Sequence, residues 1–236
     1  MARARNLKKK RSWLLYLISL IALAAMVAWA WNWWEMRSWA PPAELYPEQG
    51  AVIGRAQGSV TFQTVRAIGG QFVYLQASQG AQGQDSSFGS NLAAARRAGL
   101  KVGAIHAFDP CVSADQQSAN FVTMVPREGA LLPPAIALDE TAGDCAERVS
   151  DAAVESELMT FINQVEMHSG KPAILKLSDD FEQRYRISAQ LERGLWLARD
   201  RAQPSYAGRP WLLWSANRAL ETEASDAGLE WVVVQP

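Results

Sequence analysis

The stretch QFVYLQASQGAQGQDSSFGSNLAAARRAGLKVGAIHAF, residues 71–108, decides the fold. Gln71–Ala77 and Lys101–Phe108 are short apolar runs, the pattern of strands covered on both faces. Between them Phe88–Ala98 reads as a helix, and Gly99 stands just past its end, where a left-handed cap residue is wanted. Two strands joined across a helix are parallel neighbours, because a parallel pair needs a long crossover.

The alternation continues outward. Ala51–Ile53 precedes it as a strand, and Pro134–Leu138, Pro172–Leu177, Gly194–Arg199, Trp211–Ser215 and Leu229–Val234 follow. Further helices are expected at Thr61–Ile68, Ala114–Val125, Asp151–His168 and Asp179–Leu191. In Asp151–His168, Val154, Leu158, Phe161, Ile162 and Val165 form one apolar stripe, and Gly170 follows as a cap. Eight strands and five helices, with fewer helices near the carboxyl end, give an α/β fold: an irregular TIM-like (β/α) barrel with a parallel sheet over residues 50–236.

The chain has 236 residues, 49% of them hydrophobic, enough to bury a real core. Only 20% are charged and the formal charge is −1, which argues against wholesale disorder and against a nucleic-acid partner. That balance hides a split. Arg3, Arg5, Lys8, Lys9, Lys10 and Arg11 precede any acid, leaving 17 basic against 24 acidic residues, a net of −7, for the rest.

After this basic tail (residues 1–12) comes WLLYLISLIALAAMVAWAW, Trp13–Trp31, without a formal charge. Nineteen residues at ~1.5 Å each make a helix of about 28 Å, matched to a bilayer core of ~30 Å. Residues 13–34 are therefore expected to be a transmembrane anchor contacting the lipid bilayer. Cations before the span keep the amino terminus cytoplasmic, and Trp29, Trp31, Trp33 and Trp34 suit the far interface. This gives a single-pass protein of a bacterial inner membrane with a periplasmic carboxyl-terminal domain. The rival is a cleaved signal peptide, since Ala28-Trp29-Ala30 resembles a small-x-small site; the long apolar run and the surrounding Trp favour the anchor. Residues 35–49, with Pro41, Pro42 and Pro47, read as a semi-rigid linker.

Cys111 and Cys145 both lie in the exported part, where an oxidising compartment permits a disulfide; two separate thiols are the alternative. Neither has metal-ligand spacing, and no metal or cofactor is expected. There is no phosphate-binding glycine loop and no GxSxG elbow. His168 sits near a helix carboxyl end, where it suits the dipole. His106, in an apolar strand, is either a core histidine or, near the strand's carboxyl end, a site residue. Tyr74 and Trp214 are candidates for stacking on sugar rings, or simply core.

Glycosidases commonly use two carboxylates flanking the scissile bond. Asp139 and Glu140 end one strand, but adjacent strand residues face opposite ways, and the same-face neighbour of Asp139 is Ala137. Glu230, near the last strand, is a third candidate.

At this point the body, from about residue 50 onward, resembles glycoside hydrolase family 25, the Chalaropsis-type lysozymes. Gln57-Gly58, FVYLQASQG (72–80), RRAGLKVGAIHAF (96–108), DQQSANF (115–121), LPPAIALD (132–139), SGKPAIL (169–175), LWLA (195–198) and PWLLW (210–214) carry the likeness through their order and spacing. The resemblance implies an irregular β/α barrel hydrolysing the muramic acid–glucosamine linkage of peptidoglycan. It also implies acids at four places. Here the first-strand Asp is Val52, the D-x-E pair is Ala137 and Asp139, and the last-strand Asp is Glu230. The Lys and Glu of the second-strand motif are Gln76 and Gln79. His106 and Trp214 fit the family's pattern. Asp139 retracts its oxygens by roughly 1.5 Å relative to Glu, and misplacement on that scale can cost ~10²-fold.

Three functions follow. The favoured one is a lysozyme-like, membrane-anchored domain that binds peptidoglycan glycan strands or an envelope protein without cutting, a pseudoenzyme. The second is a genuine N-acetylmuramidase with Asp139 or Glu140 as general acid and Glu230 in support. The third is a structural membrane partner in which the anchor matters more than the barrel.

Overall fold

The computed structural model describes the backbone of residues 2–236 and the side chains of all but residues 1–12, Leu14 and Met36. The basic cluster of residues 3–11, expected to set membrane orientation, has its side chains outside the described residues. Two compact units are present, residues 1–39 and 40–236.

The first unit is one helix, α1 (Ala2–Ser38). Its segment Leu15–Glu35 has a mean hydropathy of 1.8, is long and apolar enough to cross a membrane, and has no buried residue among those described. Trp29 stacks on Trp33 at 6.4 Å between ring centroids, and the Arg37 guanidinium lies 4.0 Å over Trp33. The helix thus extends four residues into the stretch expected as linker. The rest of that stretch is held to the second unit: Gln49 Nε2 donates to Pro41 O and Tyr46 O, each at 2.9 Å.

The second unit alternates β1 (Gln49–Ile53), α2 (Phe62–Ala67), β2 (Gly70–Gln79), β3 (Gly83–Gln84), α3 (Phe88–Arg97), β4 (Lys101–Ala107), α4 (Ala114–Met124), β5 (Ala135–Leu138), α5 (Asp151–Ser169), β6 (Ile174–Leu177), α6 (Asp179–Tyr185), α7 (Ile187–Gln190), β7 (Gly194–Ala198), β8 (Leu213–Thr222) and β9 (Ser225–Val234). Eight strands close into a barrel in the order β1-β2-β4-β5-β6-β7-β8-β9, with β9 returning to β1 and β3 a short addition on β2. All eight expected strands are present.

Local chemistry explains the elements. The stripe Val154, Leu158, Phe161, Ile162 and Val165 is fully buried. Ser150 caps the start of α5 by accepting from Ala153 N at 3.2 Å, and Gly170 ends it at φ 70°. Inside the barrel Val52, Phe72, Tyr74, Ile105, Ala137, Trp196, Leu213 and Val232 pack together. Gly103 is required there: a Cβ would lie 2.3 Å from the Tyr74 ring.

Two expectations need correction. The helix foreseen over Asp179–Leu191 is broken at Arg186, which adopts φ 50°. Ser188 N donates to Glu182 Oε2 at 3.0 Å instead of to the carbonyl four residues back, and its hydroxyl also donates to Glu182. The sheet is also not all parallel. β8 and β9 form an antiparallel hairpin, and β9 meets β1 antiparallel, because the two-residue connection from Thr222 to Ser225 leaves no room for a crossover.

Candidate active site

The carboxyl ends of β2, β4, β5 and β6 surround a cleft of about 240 Å³, the end where barrels of this kind place ligands. Ile105, Ala107 and Ala137 form an apolar part of its floor. Asp139 and Lys176 supply the charge, and Gln76, Gln79, Gln84, Asp85 and Arg55 line the remaining wall.

Asp139 lies one residue past β5, on the same parity as Ala137. The residue is exposed at the mouth, but cleft walls displace water from its carboxyl group. That desolvation raises its pKa, with the Lys176 charge opposing and the Glu230 charge adding to the rise. Glu140 is exposed; its Oε1 accepts from Gln79 Nε2 at 3.4 Å. Its pKa is raised by desolvation first and then by Asp109, Asp139 and Asp144.

Lys176 faces inward because β6 alternates: Ile174 and Lys176 share the barrel face, and Lys176 pairs in register with Ala137 and Trp196. Its Nζ lies 2.8 and 2.9 Å from the two oxygens of Glu230, with side chains 15% and 18% exposed. Glu230 faces the interior opposite Val52 in register. It also accepts from the Ser215 hydroxyl, which in turn accepts from Trp196 Nε1 at 2.7 Å. The chain Trp196–Ser215–Glu230–Lys176 therefore fixes an ammonium at the edge of the floor.

Two buried amides on α4 hold the backbone behind the cleft, Asn120 the β2–β3 wall and Gln117 the loop after β4. Asn120 Nδ2 donates to Gln79 O, Gly80 O and Gly83 O at 3.3, 3.0 and 3.0 Å, and its Oδ1 accepts from Gln84 Nε2 at 2.9 Å. Gln117 Nε2 donates to Asp109 O and Val112 O, both at 2.9 Å, while its Oε1 accepts from Asp109 N at 2.8 Å. This orientation presents Oε1 to His106 Nε2 at 3.2 Å. The imidazole accordingly carries its proton on Nε2, and Nδ1 accepts the Ser78 hydroxyl at 2.8 Å.

Of the sequence-derived candidates, Asp139 lines the cleft, Glu230 reaches it through Lys176, and Glu140 meets its rim at Gln79. The other three are placed elsewhere. Tyr74 faces the interior one layer below, packed 5.0 Å from Trp196 and donating to Pro133 O at 3.1 Å; burial pushes its pKa upward. His106 points outward between the barrel and its helices, 0% exposed and 4.6 Å from the Phe161 ring. Burial lowers its pKa to about 4, against a smaller upward pull from Gln117. Trp214 is also on the outer parity, beside Tyr46 and Trp211, with Nε1 donating to Arg199 O at 2.8 Å.

Lys176, Gln117 and Asn120 were not singled out from the sequence. For Lys176 a signal existed: a lone cation in the apolar run PAILKL, on the parity of Ile174. Cys111 and Cys145 form a disulfide across 34 positions, with Cα atoms 5.4 Å apart, joining the loops after β4 and β5. Among the described residues no group of His, Cys, Asp and Glu is arranged to hold a metal ion.

The comparisons with known proteins agree with this fold. A family model described as Glycosyl hydrolases family 25 matches residues 53–218. Lysozyme M1 of Streptomyces globisporus is 31% identical over 80 residues; that stretch is 34% of this chain and about a quarter (27%) of the relative. Among solved structures, a family 25 glycosyl hydrolase from Bacillus anthracis superimposes with a TM-score of 0.73 at 23% identity, covering 81% of this chain and 90% of the other. A bacterial lysozyme from Streptomyces coelicolor gives 0.70 at 18% identity over 80% and 92%. At these identities the structural matches speak for the fold.

Proposed function

The chain belongs to glycosyl hydrolase family 25, and from that premise we propose that it is a membrane-anchored, wall-facing domain that binds peptidoglycan glycan, with hydrolysis lost or severely weakened. The observation that carries this reading is the floor around Asp139. Cleavage of a glycosidic bond commonly draws on two carboxylates. Here Val52 and Ala137 are apolar and buried, and Glu230 is clasped by Lys176. A cation at that position also opposes positive charge developing on a sugar ring. The wall pinned by Asn120 meanwhile supports binding, since a rigid surface loses little freedom when a ligand docks.

Anchoring rests on α1, whose apolar segment suits a bilayer, and orientation rests on the cations ahead of it. On this reading the barrel lies on the periplasmic side of a bacterial inner membrane.

The full chain in detergent micelles should retain soluble peptidoglycan fragments and release no reducing ends. Turnover that disappears in Asp139→Asn would overturn the reading. One observation favours a second: burial raises the Asp139 pKa, as suits a general acid working near neutrality. On that reading the domain is a slow N-acetylmuramidase. Activity that survives unchanged in both Asp139→Asn and Glu140→Gln would exclude it.

A further inference from the structure

We propose that Lys176 is the specificity-determining residue of the cleft, donating from its ammonium to the carbonyl oxygen of an N-acylated amino sugar and excluding the free-amine form. This rests on the glycan-binding reading above and adds which substituent the cleft selects.

An ammonium has three N–H donors. Two are directed at the oxygens of Glu230, at 2.8 and 2.9 Å, which leaves one for the cleft that Lys176 lines. The side chain is not free to swing away. Glu230 holds it, Ser215 and Trp196 hold Glu230, and the Lys176 ammonium lies 5.2 Å from the Trp196 ring centroid.

The neighbours complete the match. An acetamido group presents one N–H donor, one carbonyl acceptor and one methyl group. Asp139 supplies an acceptor, Lys176 a donor, and Ala107, Ala137 and Ile105 an apolar floor of small reach. A free-amine sugar has no carbonyl for Lys176 and no methyl for the floor. Its own ammonium finds an acceptor in Asp139 but meets the fixed like charge of Lys176, while the charge of Glu230 is already engaged with Lys176.

The test measures calorimetric binding of the full chain in detergent micelles to chitopentaose and to its fully deacetylated counterpart. The wild type should prefer the acetylated oligosaccharide by about tenfold or more, the size of one hydrogen bond to a charged group. Lys176→Met should reduce that preference to within about threefold, and Lys176→Arg should keep most of it. If Lys176→Met does not fold because Glu230 is left without its partner, Lys176→Met with Glu230→Gln removes both charges and carries the same expectation. An undiminished preference in the neutral variants overturns the role of Lys176 and leaves the glycan reading standing. A wild type that binds neither oligosaccharide nor peptidoglycan fragments overturns both.

Discussion

His106 turns Nε2 to Gln117 Oε1 at 3.2 Å and Nδ1 to Ser78 Oγ at 2.8 Å, so a histidine with no exposed surface is held neutral behind the cleft wall. Its folded pKa of about 4 lies below the ordinary 6.5. Between those values the unfolded chain binds more protons, so stability rises with pH across this window. The contribution is complete above pH ~6.5 and is lost as pH falls toward 4, on the order of 3 kcal/mol. The raised pKa values of Asp139 and Glu140 act with the opposite sign. Urea midpoints should fall between pH 7 and 4.5, and His106→Asn should flatten that slope. An equal slope in the variant would show that another group governs it.

Asn120 ties three carbonyls of the β2–β3 turn to α4. Asn120→Ala leaves those acceptors without their donor, at a cost of about 2 kcal/mol. Hydrogen exchange should accelerate at residues 79–84, and glycan binding should weaken by more than the loss of global stability explains. Unchanged exchange there would mean the turn holds itself.

Adding acids tests whether the floor is what limits hydrolysis. Ala137→Asp with Asp139→Glu sets two carboxylates on one face of the β5 end, because positions 137 and 139 share parity. Reducing-end release from peptidoglycan should then exceed the wild-type level by about tenfold or more. A double variant that folds, binds glycan and stays at the wild-type level would place the block elsewhere, with the Lys176–Glu230 pair as the next position to change.

Leu23 lies in the middle of the apolar segment of α1 and is 56% exposed. Leu23→Arg puts a charge at the centre of the proposed span, at a cost of ~2.5–3.5 kcal/mol for insertion. The variant should shift from the membrane pellet toward the soluble fraction after cell breakage, whereas Leu23→Ile should not. Equal pelleting of the two would argue against the anchor.

The barrel was legible in the sequence wherever a strand is a short apolar run, because burial on both faces writes itself directly into composition. It was illegible where a distant partner decides. Glu182 capturing Ser188 breaks a helix that periodicity continues through, and the polar stretch NRALETEASDAG (217–228) folds as the end of a hairpin held by the distant Gln57 and Thr61. The site followed the same division. Asp139 could be placed because it ends a strand. Tyr74, His106 and Trp214 could be assigned to strands, but their depth and side of the sheet depend on the register of neighbouring strands, which a single strand's composition does not carry.

The bond between Cys111 and Cys145 ties the loop after β4 to the loop that carries Glu140 to the rim of the cleft at Gln79. Its formation requires an oxidant, so a freshly synthesised chain still among reduced thiols lacks this clasp. The covalent tie between the two loops is therefore made only where an oxidant is present. On the periplasmic reading proposed above, closure of this clasp would coincide with export.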